Sequence, residues 1–335
     1  MATSPSLPLI SVVVPSYNQA QFLPEALESI FRQNYPCLEV VVMDGGSTDG
    51  SVAVIESHAD RLVYWQSQRD GGQSAAINAG MRHCTGELVA WLNSDDFYWG
   101  DSLWTVARAF LAHPGRGLYV GNGLRYEQRA GRYSPFIERH TAFNRDALLY
   151  GPDYILQPST FFLRRAWDDV GGLDPQLQFC MDWDIFLRIA RSHAVVLINE
   201  FLSASREYEE TKTRSGKLKR AFEIVRMIQS HTGQELTPGS LVYMLESLYE
   251  LVGGSILGEA RMHLGHALGA ACRHFSVEFG GGHWTPEGSD RQDRVHIDFA
   301  NPGATCPTKT NCRRSVSSFP TSVLTRIWRR RCRAS

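Results

Sequence analysis

Two adjacent carboxylates, Asp95 and Asp96, follow the apolar run Leu88–Leu92. Neighbouring carboxylates repel each other, so something positive is expected beside them. A divalent cation such as Mg²⁺ or Mn²⁺ answers that need, because hard cations take oxygen ligands and keep positions open for phosphate. A simpler reading makes one of the pair the cap of a turn before Tyr98. A second candidate is Asp44-Gly45-Gly46-Ser47-Thr48-Asp49-Gly50-Ser51. The first Asp can accept hydrogen bonds from a base or ribose, the glycines let the backbone pass close to a ligand, and Thr48 or Asp49 can cap the helix that follows. A calcium loop is excluded, since Gly46 and Thr48 occupy positions that need acids or amides. An aspartyl-nucleophile phosphatase is excluded because Gly46 stands where its second Asp belongs.

The run Asp70-Gly71-Gly72-Gln73-Ser74-Ala75-Ala76-Ile77-Asn78-Ala79-Gly80 opens a helix of small residues behind a Gly pair. Its backbone N–H groups and positive end suit a diphosphate, while its small residues equally suit close helix–sheet packing. Further on, Asp182 and Asp184 begin a helix that also carries Arg188. Residues i and i+2 cannot share one helix face, so the two acids divide their work. One caps the helix or holds a structural Arg, and the other faces a cleft as a general base. The alternative makes both ordinary first-turn acids. The charged segment Ser205–Arg214 reads either as a mobile loop that closes over a diphosphate with Arg206, Lys212 or Arg214, or as a solvated linker.

Such residues need rigid elements behind them. Leu9–Val14 and Leu38–Met43 are Val-rich apolar runs that suit strands buried on both faces. Leu62–Trp65 and Leu88–Leu92 are further strands. Gln21–Arg32, Ser51–His58, Gln73–Cys84 and Asp101–Ala112 have helical spacing, the last capped by its Asp. This alternation predicts an α/β fold, a mostly parallel sheet with helices on both faces. Such sheets bind ligands at the carboxyl ends of their strands, and all four strand exits carry small, polar or acidic residues. Strands and turns follow over Gly115–Ile137, then a helical turn at Trp167–Val170. Helices follow at Asp182–Arg191, Lys217–Gln229 and Leu241–Ala271, and a last strand at Arg294–Phe299. The expected organisation is a catalytic domain over 1–215, a helical extension over 216–275 and a weakly structured basic tail over 276–335.

The 335 residues carry a formal net charge of −1, which gives no general preference for nucleic acid. Seven cysteines without a CxxC pair favour a reducing compartment over a disulfide framework. Met1–Pro8 lacks the basic start and apolar run of a secretory signal, and no apolar run is long enough to span a membrane. A cytoplasmic protein is expected. The stretch Asn311–Ser335 is basic and carries Val323, Leu324, Ile327 and Trp328. It reads as a disordered tail, or as a peripheral contact with the anionic inner face of a membrane. His263, His266, His274 and His283 lack the clustering of a metal site.

The order Val13-Val14-Pro15-Ser16-Tyr17-Asn18, Asp44–Asp49, Asp70–Ser74, Trp91-Leu92-Asn93-Ser94-Asp95-Asp96, Gln157-Pro158-Ser159-Thr160 and Met181-Asp182-Trp183-Asp184 resembles the family 2 glycosyltransferases of the GT-A fold over roughly residues 9 to 215. The resemblance implies inverting transfer of a sugar from a nucleotide-diphosphate donor, assisted by Mn²⁺ or Mg²⁺. A UDP-sugar leads the donor choices, with GDP and dTDP sugars behind it, and the acceptor is a glycan or a lipid-linked sugar. It implies base or ribose contacts at Pro15, Tyr17, Asp44, Asp70 and Asn93, and the expected nucleotide-sugar site also takes in Ser16, Asn18, Gly45, Ser47, Gly72, Gln73, Asn78, Ser94, Asp95, Arg206 and Lys212. It implies metal ligation by Asp95, helped by Asp96, and a catalytic base at Asp182, with Asp184 next. Gln157–Thr160 is expected to support the acceptor side. Two departures stand out: Asn93 replaces the first Asp of the family's DxD motif, and Met181 replaces a common Glu. Two other functions share these features. A sugar nucleotidyltransferase would resemble this core but carry a Gly-rich, Arg-bearing loop after the first strand. A non-catalytic nucleotide-sugar binder would lack the base.

Overall fold

The computed structural model describes residues 6–137, 142–209, 211–212 and 216–252, all within the unit Met1–Ile297. The strand expected at 294–299, the helix beyond 252, Arg214, the four histidines from His263 to His283 and the basic tail lie outside the described residues.

The Val-rich runs form the centre of the sheet. β1 (Ile10–Ser16) lies between β2 (Leu38–Asp44) and β4 (Leu88–Trp91), and β2 carries β3 (Tyr64–Ser67) on its far side. All four run parallel, so their carboxyl ends share one edge. Both faces of these strands are buried. Val13, Val41, Met43, Val89 and Trp91 point into one core, and Val12, Val14, Val40, Val42 and Ala90 into the other. That two-sided burial is why the sequence shows continuous apolar runs rather than alternation.

Helices cover the two faces. α1 (Leu23–Phe31), α2 (Ser51–Glu56) and α4 (Ser102–Ala112) bury Leu23, Leu27, Ile30, Ile55, Leu103 and Val106 in the second core. α3 (Gln73–Met81) packs Ala76, Ile77 and Met81 into the first. Its small residues have a packing role: a Cβ on Gly80 would lie 2.5 Å from Val13, so only Gly lets α3 come this close to β1.

The remaining strands extend the sheet in mixed directions. β5 (Phe97–Tyr98), β6 (Leu118–Glu127), β7 (Arg132–Pro135), β8 (Thr160–Leu163) and β9 (Val195–Glu207) give the order β3-β2-β1-β4-β8-β6-β9-β5, with β7 on β6. β8 is antiparallel to both neighbours, and β9 is parallel to β6. α5 (Arg145–Tyr150), α6 (Arg164–Asp169) and α7 (Met181–Ile189) surround this half, followed by α8 (Lys217–Thr232) and α9 (Pro238–Val252). α8 buries Ile224, Met227 and Ile228 in the same core as α3 and α7.

Two sequence expectations change. Residues 205–207 are the end of β9, not loop. Asn199 and Glu200 hide that strand by interrupting its apolar pattern: the pairing jumps from Gly121–Ile198 to Asn122–Phe201, so an irregularity absorbs them. Asp101 stands at the start of α4 but makes no capping bond. Ser102 Oγ lies within hydrogen-bond reach of the carbonyls of Trp99 and, at 2.5 Å, Leu202, and so ties the start of α4 to β9. Among the described residues, no helix is long and apolar enough to cross a membrane.

Candidate active site

The four strand exits meet in one cleft of about 1400 Å³. Pro15, Ser16 and Tyr17 come from β1, Gly45 and Gly46 from β2, Arg69, Asp70, Gly72 and Gln73 from the turn after β3, and Asn93 through Asp96 from β4. Tyr17 is 63% exposed at the mouth, so one aromatic face stays open to a ligand. Tyr17 and Asp70 both crowd Gly45, where a Cβ would lie 3.2 Å from each. Asp70 is held by the N–H of Gly72 at 2.8 Å.

Asp44 lies deeper than expected. It is 1% exposed and does not line the cleft. Its carboxylate accepts the N–H groups of Gly46 (3.1 Å) and Ser47 (2.8 Å) and the hydroxyls of Ser47 (2.5 Å) and Ser67 (2.6 Å). Asp44 therefore shapes the Gly45–Ser47 turn, whose Gly45 and Gly46 line the cleft. Asn18 and Ser47 also stand behind that turn: Ser47 Oγ accepts the N–H of Asn18, and Asn18 Oδ1 accepts that of Thr48. Asp49 takes the N–H of Ser51, the first residue of α2, although the N-cap position itself is Gly50 and makes no side-chain capping bond. Asn78 is spent on Leu173, bonding its carbonyl at 2.7 Å and its N–H at 2.9 Å, and does not reach the cleft.

The acidic pair divides. Asp95 receives the Tyr208 hydroxyl at 2.8 Å on Oδ2. Asp96 is 5% exposed, its Oδ1 taking the Arg206 N–H at 3.0 Å and its Oδ2 the Asn93 amide at 3.2 Å. Burial raises the pKa of both carboxyls, Asp95 adds to the rise at Asp96, and hydrogen bonds and Arg206 only partly offset it. A nearby positive charge would favour the ionised forms of both. Among the described residues, no group of three or more His, Cys, Asp and Glu side chains is placed to hold a metal by itself. A nucleotide-bound cation needs less, since one or two carboxylates and the phosphates suffice. Asp95 fits that donor set better than Asp96, whose two oxygens are already engaged.

Asn93 is a hub. It accepts Gln73 Nε2 at 2.7 Å and donates to Asp96 and, at 3.3 Å, to Gln157. Gln157 in turn donates to the Trp91 carbonyl at 3.0 Å, so it braces the β4 exit. Lys212 Nζ donates to Gln73 Oε1 at 2.9 Å, and burial lowers its pKa.

Arg206 departs from the expectation of a mobile arm. It is 6% exposed on β9 and donates to the Asp95 carbonyl at 3.0 Å, to Gln128 and to Glu25. The Phe22 and Tyr126 rings stack on its guanidinium, their centroids 4.7 and 5.2 Å away. It lines the cleft floor as a fixed cation.

Asp182 and Asp184 divide as the helix geometry requires. Asp182 is half-buried on the cleft wall. Asp184 does not line the cleft; Arg188 (2.8 Å) and His231 (2.8 Å) bind it, and they hold its carboxyl below the usual value despite burial. Opposite behaviour marks Asp182, whose pKa burial raises. Asp153, on the same cleft, is pushed up to about 8, first by burial and then by Asp182. The sequence reading missed Asp153 and Tyr208. Neither sits in a recognisable spacing, and Tyr208 reads as part of a charged segment.

The comparisons agree with this architecture. A family model described as glycosyl transferase family 2 matches residues 11–172. A glycosyltransferase of Mycobacterium tuberculosis (strain H37Rv) is 30% identical over 187 residues, 55% of this chain and 70% of that protein. Two Rickettsia relatives, from R. typhi and R. bellii, are spanned over 67% and 36% of their lengths. S. aureus TarS, solved with UDP-GlcNAc, has a similar fold: TM-score 0.54, 19% identity, 72% of each chain covered. So does the mannosyltransferase PcManGT of Pyrobaculum calidifontis, solved with GDP-Man and Mn²⁺: TM-score 0.53, 21% identity, 81% of this chain and 84% of that one. The chain belongs to glycosyl transferase family 2 and is a glycosyltransferase of the GT-A fold.

Proposed function

We propose that this enzyme transfers a sugar, with inversion, from a nucleoside-diphosphate donor to a hydroxyl of a glycan or lipid-linked sugar. The reading rests above all on one observation: Asp95, beside the glycine-rich strand exits, and Asp182, on α7, line the same cleft. Its volume of about 1400 Å³ exceeds what one small ligand fills and leaves room for donor and acceptor together. That TarS was solved with UDP-GlcNAc and PcManGT with GDP-Man and Mn²⁺ supports a nucleotide sugar as donor and a divalent metal as helper.

The open face of Tyr17 receives the base, and the Gly45–Gly46 backbone comes close to the ribose. The N-terminus of α3, at Gly72-Gln73, faces the diphosphate, with Lys212 beside it. Asp95 is the residue that would hold a Mn²⁺ or Mg²⁺, which when bound would supply Lewis-acid stabilisation to the leaving diphosphate. Arg206, its backbone held by Asp96, fixes the Asp95 carbonyl from behind. Asp182 takes the proton of the acceptor hydroxyl as that oxygen attacks C1 of the sugar from the face opposite the leaving group. One displacement and one base invert the anomeric centre. Its raised pKa suits a base, since a carboxylate that holds its proton more tightly also accepts one more readily.

The test compares Asp182→Asn with Asp184→Asn. Asp182→Asn should lower transfer on the order of 10² to 10⁴-fold with nucleotide binding intact. Asp184→Asn should mainly lower stability. Full activity in Asp182→Asn contradicts the assignment.

A further inference from the structure

α7 carries Asp182 in its first turn, yet its N-cap residue, Cys180, makes no side-chain capping bond. The amides just before it still need acceptors. Glu223 of α8 supplies them. Its carboxylate accepts the N–H groups of Gln178 at 2.9 Å, Phe179 at 2.5 Å and Cys180 at 3.0 Å. A negative group there also meets the positive end of α7. The segments that lead into the two helices also pack together: a Cβ on Gly216, just before α8, would lie 2.6 Å from the Phe179 ring. Eight residues along α8, about 12 Å further on, His231 holds Asp184 at 2.8 Å. α7 is thus held at its entry and on its first turn by one helix.

The consequence falls on Asp182, two residues after the last clamped amide. Its Oδ1 accepts the N–H of Trp183 at 2.9 Å, so its carboxylate direction follows the backbone of that turn. Gln178, Phe179 and Cys180 line the cleft, whereas Glu223 does not. Glu223 therefore acts on the site from outside the cleft, through the backbone it holds and through its charge on Lys212.

We propose that Glu223 is a positioning residue for the transfer reaction, fixing the first turn of α7 so that Asp182 meets the acceptor hydroxyl. The proposal rests on the reading of Asp182 as the base. A reacting group displaced by about 1 Å can lose on the order of 10²-fold in rate, and three amides without their acceptor leave the turn free to shift by that much. Oε1 accepts all three N–H groups and Oε2 only that of Gln178, so Glu223→Gln keeps the size but strips the charge from the clamp and turns an NH₂ toward the Gln178 N–H, weakening bonds that a carboxylate makes about twice as strong. Glu223→Asp keeps the charge but shortens the reach.

The experiment uses the full chain with Mn²⁺ and either UDP-GlcNAc or GDP-mannose, with water as acceptor and released nucleoside diphosphate as the signal. Glu223→Gln should lower kcat by roughly tenfold or more, while donor KM and nucleoside-diphosphate affinity move less than about twofold. Glu223→Asp should recover part of the rate. Adding Glu223→Gln to Asp182→Asn should cost nothing further, because positioning acts through the base. Amide hydrogen exchange at 178–182 should quicken in Glu223→Gln while the central strands stay protected, and this measurement decides the matter if neither donor turns over. The proposal is overturned by a wild-type kcat in Glu223→Gln, by parallel loss of kcat and nucleotide affinity, by multiplicative effects in the double variant, or by unchanged exchange. A wild-type rate in Asp182→Asn sinks the base reading instead, and is told apart because Glu223→Gln then acts alone.

Discussion

The Tyr208 hydroxyl donates to Asp95 Oδ2 at 2.8 Å, tying the residue that follows β9 to the exit of β4. Burial and the nearby Asp95 raise the phenol's pKa, so it remains a donor throughout the working pH range. The bond fixes the rotamer of the carboxylate assigned to the metal. Tyr208→Phe keeps the ring against Phe22, whose centroid lies 5.0 Å away, and should leave the fold intact. The metal concentration for half-maximal activity should rise roughly fivefold, the equivalent of about 1 kcal/mol for one hydrogen bond. A metal titration of both proteins measures this. An unchanged midpoint would mean that Tyr208 does not orient Asp95.

Asp95 and Asp96 should respond differently to substitution. Asp95→Asn removes the ligand charge and should abolish most metal-stimulated activity while leaving the unfolding midpoint near wild type. Asp96→Ala removes the acceptor of both the Arg206 N–H and the Asn93 amide. Orphaned buried donors cost about 1–3 kcal/mol each, so this variant should lose stability in urea titration. Equal effects of both variants on metal response would argue that Asp96 ligates as well.

Asp153 gives the enzyme a pH signature. Its pKa in the folded state is about 8 against an ordinary 3.8, raised by burial and by Asp182. A carboxyl with a raised pKa binds its proton more tightly folded than unfolded. Its contribution to stability is therefore present at low pH and fades as pH climbs from about 4 to about 8. Asp153→Asn should flatten that slope and raise stability at pH 8 more than at pH 5. Urea unfolding at the two pH values checks it, and an unchanged slope would remove Asp153 from the pair.

Much of this was legible because parallel strands buried on both faces announce themselves. The runs around Val12–Val14 and Val40–Val42 are unbroken, and polar residues crowd their exits. The acidic division between Asp182 and Asp184 followed from the turn of a helix. What escaped depended on partners far away in sequence. Asp44 reads as a ligand contact until Ser47 and Ser67 are seen to occupy it. Arg206 reads as a loop cation because Asn199 and Glu200 mask the strand that buries it. Glu223 is an unremarkable helical Glu until the amides of 178–180, more than 40 residues away, come to rest on it.

In the proposed reaction this cleft breaks a nucleotide-sugar bond at its anomeric carbon, with a metal held at Asp95. The direct measurement is a donor panel of UDP-, GDP- and dTDP-sugars with the acceptor left out, run with Mn²⁺ and again with chelator, in wild type and Asp95→Asn. Slow release of nucleoside diphosphate from one donor, lost with chelator and in Asp95→Asn, is the predicted result. Release of pyrophosphate, binding without turnover across the panel, or turnover indifferent to chelator would contradict it.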